Sequence, residues 1–565
     1  MIKSRFSIII NDYVFAILII IFAYQINYYF GFIGINSGDS FQTFDTGNRI
    51  LNGDLPFREY WSVDGGPGID VMQALFFKIL GVKWSSYVIH ASILNSIFAF
   101  SVYLFARLNN LSKNKSLFLG ILSGLIMYPA AGTPQVDHHA IIIGTISLIF
   151  FFLILIKKKF KFITIFPTIF LFCFFIKQVP TAYYIIVIAL ISLIYYFFLK
   201  ENKIIINLLL GTLLSLIFLF LILKISNISF IAIYKQYIAL ILSNFNSRIV
   251  IQSDGRFLEN IFKIKYIILL LIPFIFLTVK NFRNSDLKNK ESYYLYTILF
   301  LGLLISSAIH ESYTDNQSVT FGLIPIYSLL MLLLIKKNKN KILFYIFCIL
   351  STVALLRLIN ANEIYAILIF LLLIIYLFRA KLKISLKKTS SIIIIYTLLI
   401  SLLYFENIIR NRYWFDIIDP NWDNAVQAKE IHPKFNGLVW LSSNKDTQKE
   451  IANIKLILSY LKSMDENYII VTNYQIYNTI LNRKNYSPVK YWWNNLTYPS
   501  KENKYRNEFD IFFKKKINEN NIRKIIITND IYDHFEINDF EWIKKCVTEK
   551  DENDTFIVYE LLNKC

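Results

Sequence analysis

Apolar runs of about 17–25 residues recur from residue 8 to residue 405, each long enough to cross a hydrocarbon core of roughly 30 Å. Thirteen such crossings can be drawn, at 8–30, 85–106, 116–132, 139–156, 162–177, 181–199, 204–224, 264–279, 292–309, 319–335, 342–357, 363–378 and 390–405. With 55% apolar residues, 50 Phe and 36 Tyr in 565 positions, the chain carries more apolar surface than a water-soluble fold of this length needs. The expected class is therefore a polytopic α-helical membrane protein. The first run follows Lys3 and Arg5 and lacks a small-residue cleavage site, so it reads as an uncleaved signal anchor.

The net charge of +20 invites a nucleic-acid reading, and its distribution argues against one. Residues 406–565 hold 23 basic and 23 acidic residues, so the whole excess lies in 1–405. There it gathers in the short segments between crossings, at Arg107/Lys113/Lys115, Lys157–Lys159, Lys200/Lys203, Lys280–Lys290, Lys336–Lys341 and Arg379–Lys388. These occupy every second connecting segment and so share one side of the membrane, as the positive-inside rule requires. An odd number of crossings then puts the N-terminus in the cytoplasm and the region from 406 onward on the outer face, periplasmic or extracellular. No nucleic-acid partner is expected.

Residues 406–565 change to the composition of a soluble domain. Tyr468–Thr472 and Lys524–Thr528 read as buried strands, Phe556–Leu561 as a later strand, and Ile451–Leu461 as a helix. Strand and helix in alternation predict a small α/β sheet. Neither early strand is followed by a Gly-rich phosphate loop, which excludes a P-loop nucleotide site there. Two domains are expected: a membrane domain, 1–405, and an extracytoplasmic α/β domain, 406–565.

Ionisable groups concentrate in the outward segments. The first, 31–84, is the longest and carries Asp39, Asp45, Asp54, Arg58, Glu59 and Asp64, and its stretch 69–82 reads as an interfacial amphipathic helix. Asp39 lies just past the first crossing in a Gly-Asp-Ser turn, where a carboxylate can deprotonate an acceptor hydroxyl or hold a divalent metal. Whether a metal is needed stays open at this point. Other outward groups are Asp137-His138-His139, Lys177-Gln178 and His310-Glu311. Adjacent histidines on a regular element do not chelate one ion, so Asp137 and His138 read as substrate contacts. The ordinary alternatives are a snorkelling headgroup contact for Lys177 and a solvated turn for His310 and Glu311.

One pattern is more specific. Asp39 is followed by Gly53-Asp-Leu-Pro56-Phe57-Arg58-Glu59-Tyr60-Trp61, then Asp64-Gly-Gly-Pro67-Gly68, then Phe76-Phe-Lys-Ile-Leu80-Gly81. In order and in topological place this resembles the first outer loop of the GT-C class of membrane glycosyltransferases, most nearly the protein O-mannosyltransferases and the lipid A aminoarabinose transferase. The resemblance implies transfer of a sugar from a polyprenyl-phosphate carrier to a lipid, glycan or protein acceptor at the outer membrane face. It implies Asp39 as general base and Asp64 as the second acidic position. Arg58, Glu59, Lys177, Gln178, Asp137, His138, His310 and Glu311 are then substrate-binding candidates, with Lys177 and Arg58 meeting the lipid phosphate. Two departures stand out. Ser40 follows Asp39 where the family often has a paired acid, and Gly65-Gly66-Pro67 stands where many members have Lys-Pro-Pro, so the loop lacks that lysine.

Two other classes fit the sequence less well. An O-antigen-type polymerase or ligase usually has its charged long loop late in the chain rather than first. A transporter expects ionisable residues or Gly/Pro breaks at mid-membrane depth, where this chain is nearly all apolar.

Overall fold

The computed structural model describes residues 2–63, 65–108, 113–126, 132–243, 422–442, 446–531, 535 and 537–562. The expected crossings from 264 to 405 lie outside the described residues. Within them, four helices are long and apolar enough to cross a membrane, with spans at Asp12–Phe30, Trp84–Leu108, Val136–Leu155 and Lys203–Ser226. The chain is a membrane protein on this count, by the length and composition of those helices. The expected 116–132, 162–177 and 181–199 crossings correspond to shorter apolar pieces: helix Lys113–Ile126, Phe160–Phe174 and Tyr184–Phe197.

In chain order the helices are α1 (Ile2–Phe30), α2 (Ser37–Leu51), α3 (Pro67–Leu80), α4 (Trp84–Leu108), α5 (Lys113–Ile126), α6 (Val136–Ile156), α7 (Phe166–Phe174), α8 (Gln178–Leu199) and α9 (Lys203–Ser226). A further apolar helix, α10, spans Phe230–Ser243 and is π-helical at Tyr234–Ala239. Small residues let α1, α4 and α5 approach closely: the Cα of Gly124 faces Ala23, and that of Gly120 faces Ile19. Asn95 crosses this seam, donating to Ala23 O at 2.9 Å and Gly124 O at 2.7 Å. By contrast, only 17% of the α9 span is buried, so its Leu209, Leu213 and Phe220 face outward, as hydrocarbon contact requires.

The segment expected as a loop after the first crossing contains a helix. Asn36 caps α2, its side-chain oxygen accepting from Gly38 N at 3.1 Å and Asp39 N at 3.3 Å. The helix ends at Asn52, before Gly53 with φ +92°. Phe41 and Phe44, three residues apart, bury one face against Trp84, Phe435 and Trp440. Asp39 therefore stands in the first turn of a helix and not in a Gly-Asp-Ser turn. The expected amphipathic helix is α3, with Val71, Leu75 and Ile79 exposed along one side.

The C-terminal unit holds a two-stranded pair, β1 (Val426–Gln427) with β2 (Val439–Trp440), and a four-stranded sheet of β3 (Tyr468–Val471), β4 (Lys524–Thr528), β5 (Val547–Glu552) and β6 (Phe556–Leu561). The sheet order is β3-β4-β6-β5; β3 and β4 are parallel and the other pairs antiparallel. Side-chain alternation splits the core. Ile470, Ile526 and Val558 face α11 (Thr447–Ser463), while Ile469, Val471, Ile525 and Ile527 face α13 (Arg506–Glu519). Between them in sequence, α12 (Tyr477–Leu481) packs on the α11 side. Trp440 and Trp492 are fully buried in these cores.

The two halves share their cores. Ile35, Phe41, Phe44, Phe77 and Trp84 belong to the same cluster as α11, and Trp61 and Val63 to the cluster of α13. Backbone pairing seals the junction: Ile35 N donates to Leu441 O at 2.8 Å, and Trp61 N to Pro488 O at 2.7 Å.

The Gly65–Gly68 turn approaches the chain ahead of α8 so closely that only glycine fits. Gly66 N and Gly68 N donate to Ile176 O (2.9 Å) and Phe175 O (2.7 Å), and a Cβ at Gly66 would stand 2.0 Å from Phe175 O. Gly66→Ala is expected to lose about 1–3 kcal/mol of stability, whereas Gly38→Ala, whose added methyl meets nothing nearer than 3.8 Å, stays near neutral. Thermal unfolding of the two purified variants beside wild type checks this; equal melting of Gly66→Ala and wild type would contradict the close docking.

Candidate functional site

The polar centre of the junction is built on α2. Asp39, Thr43 and Thr46 lie on one face of that helix at spacings of four and three residues. Asp39 is half-buried, accepts from Gln42 Nε2 at 3.0 Å, and faces the positive end of the helix dipole. Further along, Thr46 Oγ1 donates to Asp70 Oδ1 at 2.7 Å. Asp70 Oδ2 is 2.7 Å from Lys490 Nζ, and Lys490 also donates to Gly65 O at 2.8 Å. Both side chains are almost wholly enclosed. Burial pushes the Asp70 carboxyl above its ordinary range, against the opposing pull of the Lys490 ammonium.

A second cluster clamps the other side of α2. Asp45 accepts from Thr479 Oγ1 and Asn485 Nδ2, each at 2.8 Å. Arg49 donates to Ser487 O (3.0 Å) and Val489 O (3.2 Å), pairs with Asp54 at 3.4 Å, and lies 4.2 Å over the Tyr60 ring. Burial raises the Asp45 carboxyl to about 6, with Arg49 and the two hydrogen bonds pulling the other way.

Each expected site residue can now be placed. Asp137, in the first turn of α6, and Lys177, the N-cap of α8, come together with Nζ 3.8 Å from Oδ2. This pair adjoins the Gly65–Gly68 turn, since Lys177 directly follows the two carbonyls to which that turn is bound. Gln178 is spent elsewhere, donating to Tyr237 O at 3.1 Å and so anchoring α10. Arg58 and Glu59 pair with each other at 2.7 Å; Arg58 also binds Ser226 O at the end of α9, and Glu59 accepts from Leu55 N. These are the bonds of a turn tied down on α9. His138 is buried. Its neighbour His139 meets His90, Nε2 to Nε2 at 3.1 Å, and His90 Nδ1 lies 2.9 Å from Gln73 Oε1, a polar chain linking α3, α4 and α6. Asp64, His310 and Glu311 lie outside the described residues. Among the described residues, no group of three or more His, Cys, Asp or Glu side chains is arranged to hold a metal ion.

Asp70, Lys490, Thr43 and Thr46 were not among the expected residues. Thr43 and Thr46 carry a signal, their helical spacing from Asp39. Asp70 carries one too, an acid in the first turn of an apolar amphipathic helix. Lys490 has none, because 425 positions separate it from Gly65. It nonetheless brings an ammonium to the turn whose sequence lacks one. No protein-family model and no curated protein matches the sequence.

Two outcomes test this geometry. Lys490→Met leaves the buried Asp70 carboxyl uncompensated and is expected to cost about 3–5 kcal/mol, with much of the loss recovered in Lys490→Met/Asp70→Asn; unfolding of the single and double variants measures it, and a single variant as stable as wild type would refute the pairing. For Asp45, the folded value of about 6 lies above the ordinary carboxyl value of 3.8. Its contribution to stability is thus full below about pH 4 and is lost as pH rises through about 6. In unfolding scans, that decline should be present in wild type and flattened in Asp45→Asn.

Proposed function

We propose that the chain is a membrane glycosyltransferase that moves a sugar from a polyprenyl-phosphate carrier to a hydroxyl of a lipid, glycan or protein acceptor. The carrying observation is Asp39: a carboxylate in the first turn of a helix that begins six residues after a membrane span, on the face that runs through Thr43 and Thr46 to Asp70. In this reading the N-terminus is cytoplasmic, and the junction of α2 with the C-terminal unit lies at the outer face of the cell membrane.

The chemistry asks little of the protein beyond positioning. As the acceptor oxygen bonds to the anomeric carbon, the bond from that carbon to the carrier phosphate breaks and the phosphate departs with the electron pair. A phosphate leaves as a stable anion, so no general acid is required. The acceptor proton must go somewhere, and Asp39 receives it. Lys177, held at the face of the Gly65–Gly68 turn by Asp137, offers a positive charge to the departing phosphate. Membrane lipids surround the carrier's chain.

The test is transfer of a labelled sugar from a polyprenyl-phosphate pool in membranes holding wild type or Asp39→Asn. Asp39→Asn is expected to lower transfer by about 100-fold or more while the protein still accumulates. Normal transfer by that variant would remove Asp39 from the reaction, and no transfer by wild type from any pool would remove the reaction itself.

A further inference from the structure

A cleft of about 340 Å³, lined by residues of the C-terminal unit, lies within the size range of small-molecule sites. It lies at the carboxyl ends of the parallel strands β3 and β4, where Thr472-Asn473 and Asn529-Asp530 leave the sheet, and the first two turns of α11 wall it with Asp446, Lys449, Glu450 and Asn453. In α/β sheets the crevice outside the carboxyl ends of the strands is the usual ligand position.

Its acceptors are fixed in place by the protein. Glu450 accepts from Trp440 Nε1 (2.9 Å), Tyr474 Oη (2.5 Å) and Ser442 Oγ. Asp530 accepts from Asn473 N at 2.7 Å and Thr472 Oγ1 at 3.2 Å. A second observation is independent of these acids. Tyr477, 1% exposed, lines the cleft, and its hydroxyl makes no hydrogen bond of proper geometry in the described structure. Thr472 lies beside it, with its Oγ1 donating to Asp530 and accepting from Tyr474 N. A buried hydroxyl left this way loses free energy unless something in the cleft meets it. Ile454 and Ile457 supply an apolar wall.

We propose that this cleft binds an uncharged, hydroxyl-rich ring of monosaccharide size. Three carboxylates face one lysine there, which repels phosphates and other anions, while fixed carboxylate and amide oxygens match a ring carrying several O–H donors. The Tyr477 hydroxyl then pairs with a ring oxygen or hydroxyl.

The test is saturation-transfer NMR on the full-length protein in lipid nanodiscs, with glucose, N-acetylglucosamine and glucose 6-phosphate as probes. Millimolar glucose or N-acetylglucosamine is expected to receive saturation and glucose 6-phosphate is not. Tyr477→Phe, which keeps the ring and its packing, and Asn453→Ala, at the half-buried wall, should each weaken binding by about tenfold. The proposal is overturned by absence of signal from both neutral sugars, by a stronger signal from the phosphate, or by unchanged binding in both variants.

Discussion

The contact between the Lys490 ammonium and the Asp70 carboxylate holds the junction together, because neither charge has water to return to. Moving two ions out of water costs several kcal/mol each, and attraction between them offsets this only where every remaining donor and acceptor is used. Here Thr46 meets the second carboxylate oxygen and Gly65 O takes another ammonium proton. The pair therefore fixes three pieces of chain at once: the Thr43–Thr46 face of α2, the first turn of α3, and the Gly65 turn. Removing Asp70 strands the Lys490 charge, and removing Thr46 or the Gly65 turn leaves a buried carboxylate oxygen or ammonium proton unmet. The Asp45 and Arg49 clusters repeat the arrangement on the far side of α2, with the same 479–490 segment as partner.

This explains why the membrane half and the C-terminal unit share cores rather than meeting across a wet interface. Once Lys490 and Arg49 are committed, Phe41 and Phe44 on the remaining face of α2 must pack against Trp440 and Phe435, and Trp61 against Phe509. The membrane helices join through the Gly65–Gly68 turn, whose amides bind the carbonyls just before Lys177. A displacement of α2 thus reaches the turn through the buried Thr46, Asp70 and Lys490 side chains, and passes from the turn to the residues before Lys177 through backbone bonds.

Legibility in the sequence followed the range of the interactions. Strands β3, β4 and β6, helix α11 and amphipathic α3 were readable because their signals are local: β-branched runs and helical apolar spacing. Helix α2 reads as loop, since its polar, acid-rich sequence hides a narrow apolar face of Phe41 and Phe44, although Asn36 and Asn52-Gly53 mark its two ends. Asp39, Asp137 and Lys177 stood out as ionisable groups at span ends. Arg58, Glu59 and Gln178 stood out equally, yet their bonds are those of turns and helix anchors. Asp70 and Lys490 could not be paired from sequence because nothing local in Ser487-Pro-Val-Lys490 tells that it will dock against residues more than four hundred positions earlier.

A reactive carboxylate on a helix differs physically from one on a loop. A loop acid orders itself only when substrate arrives, and the entropy of that ordering is subtracted from binding. Asp39 is instead held by a capped first turn, by Gln42, and by a helix clamped on two sides through buried charges, so its position is set by the fold itself. For a reaction whose leaving group needs no proton, placement of the acceptor oxygen and of the base accounts for most of the barrier that a protein can remove. The rigidity that makes the junction costly to perturb is the same rigidity that the proposed transfer would draw on, and the C-terminal unit, though remote in sequence, supplies much of it.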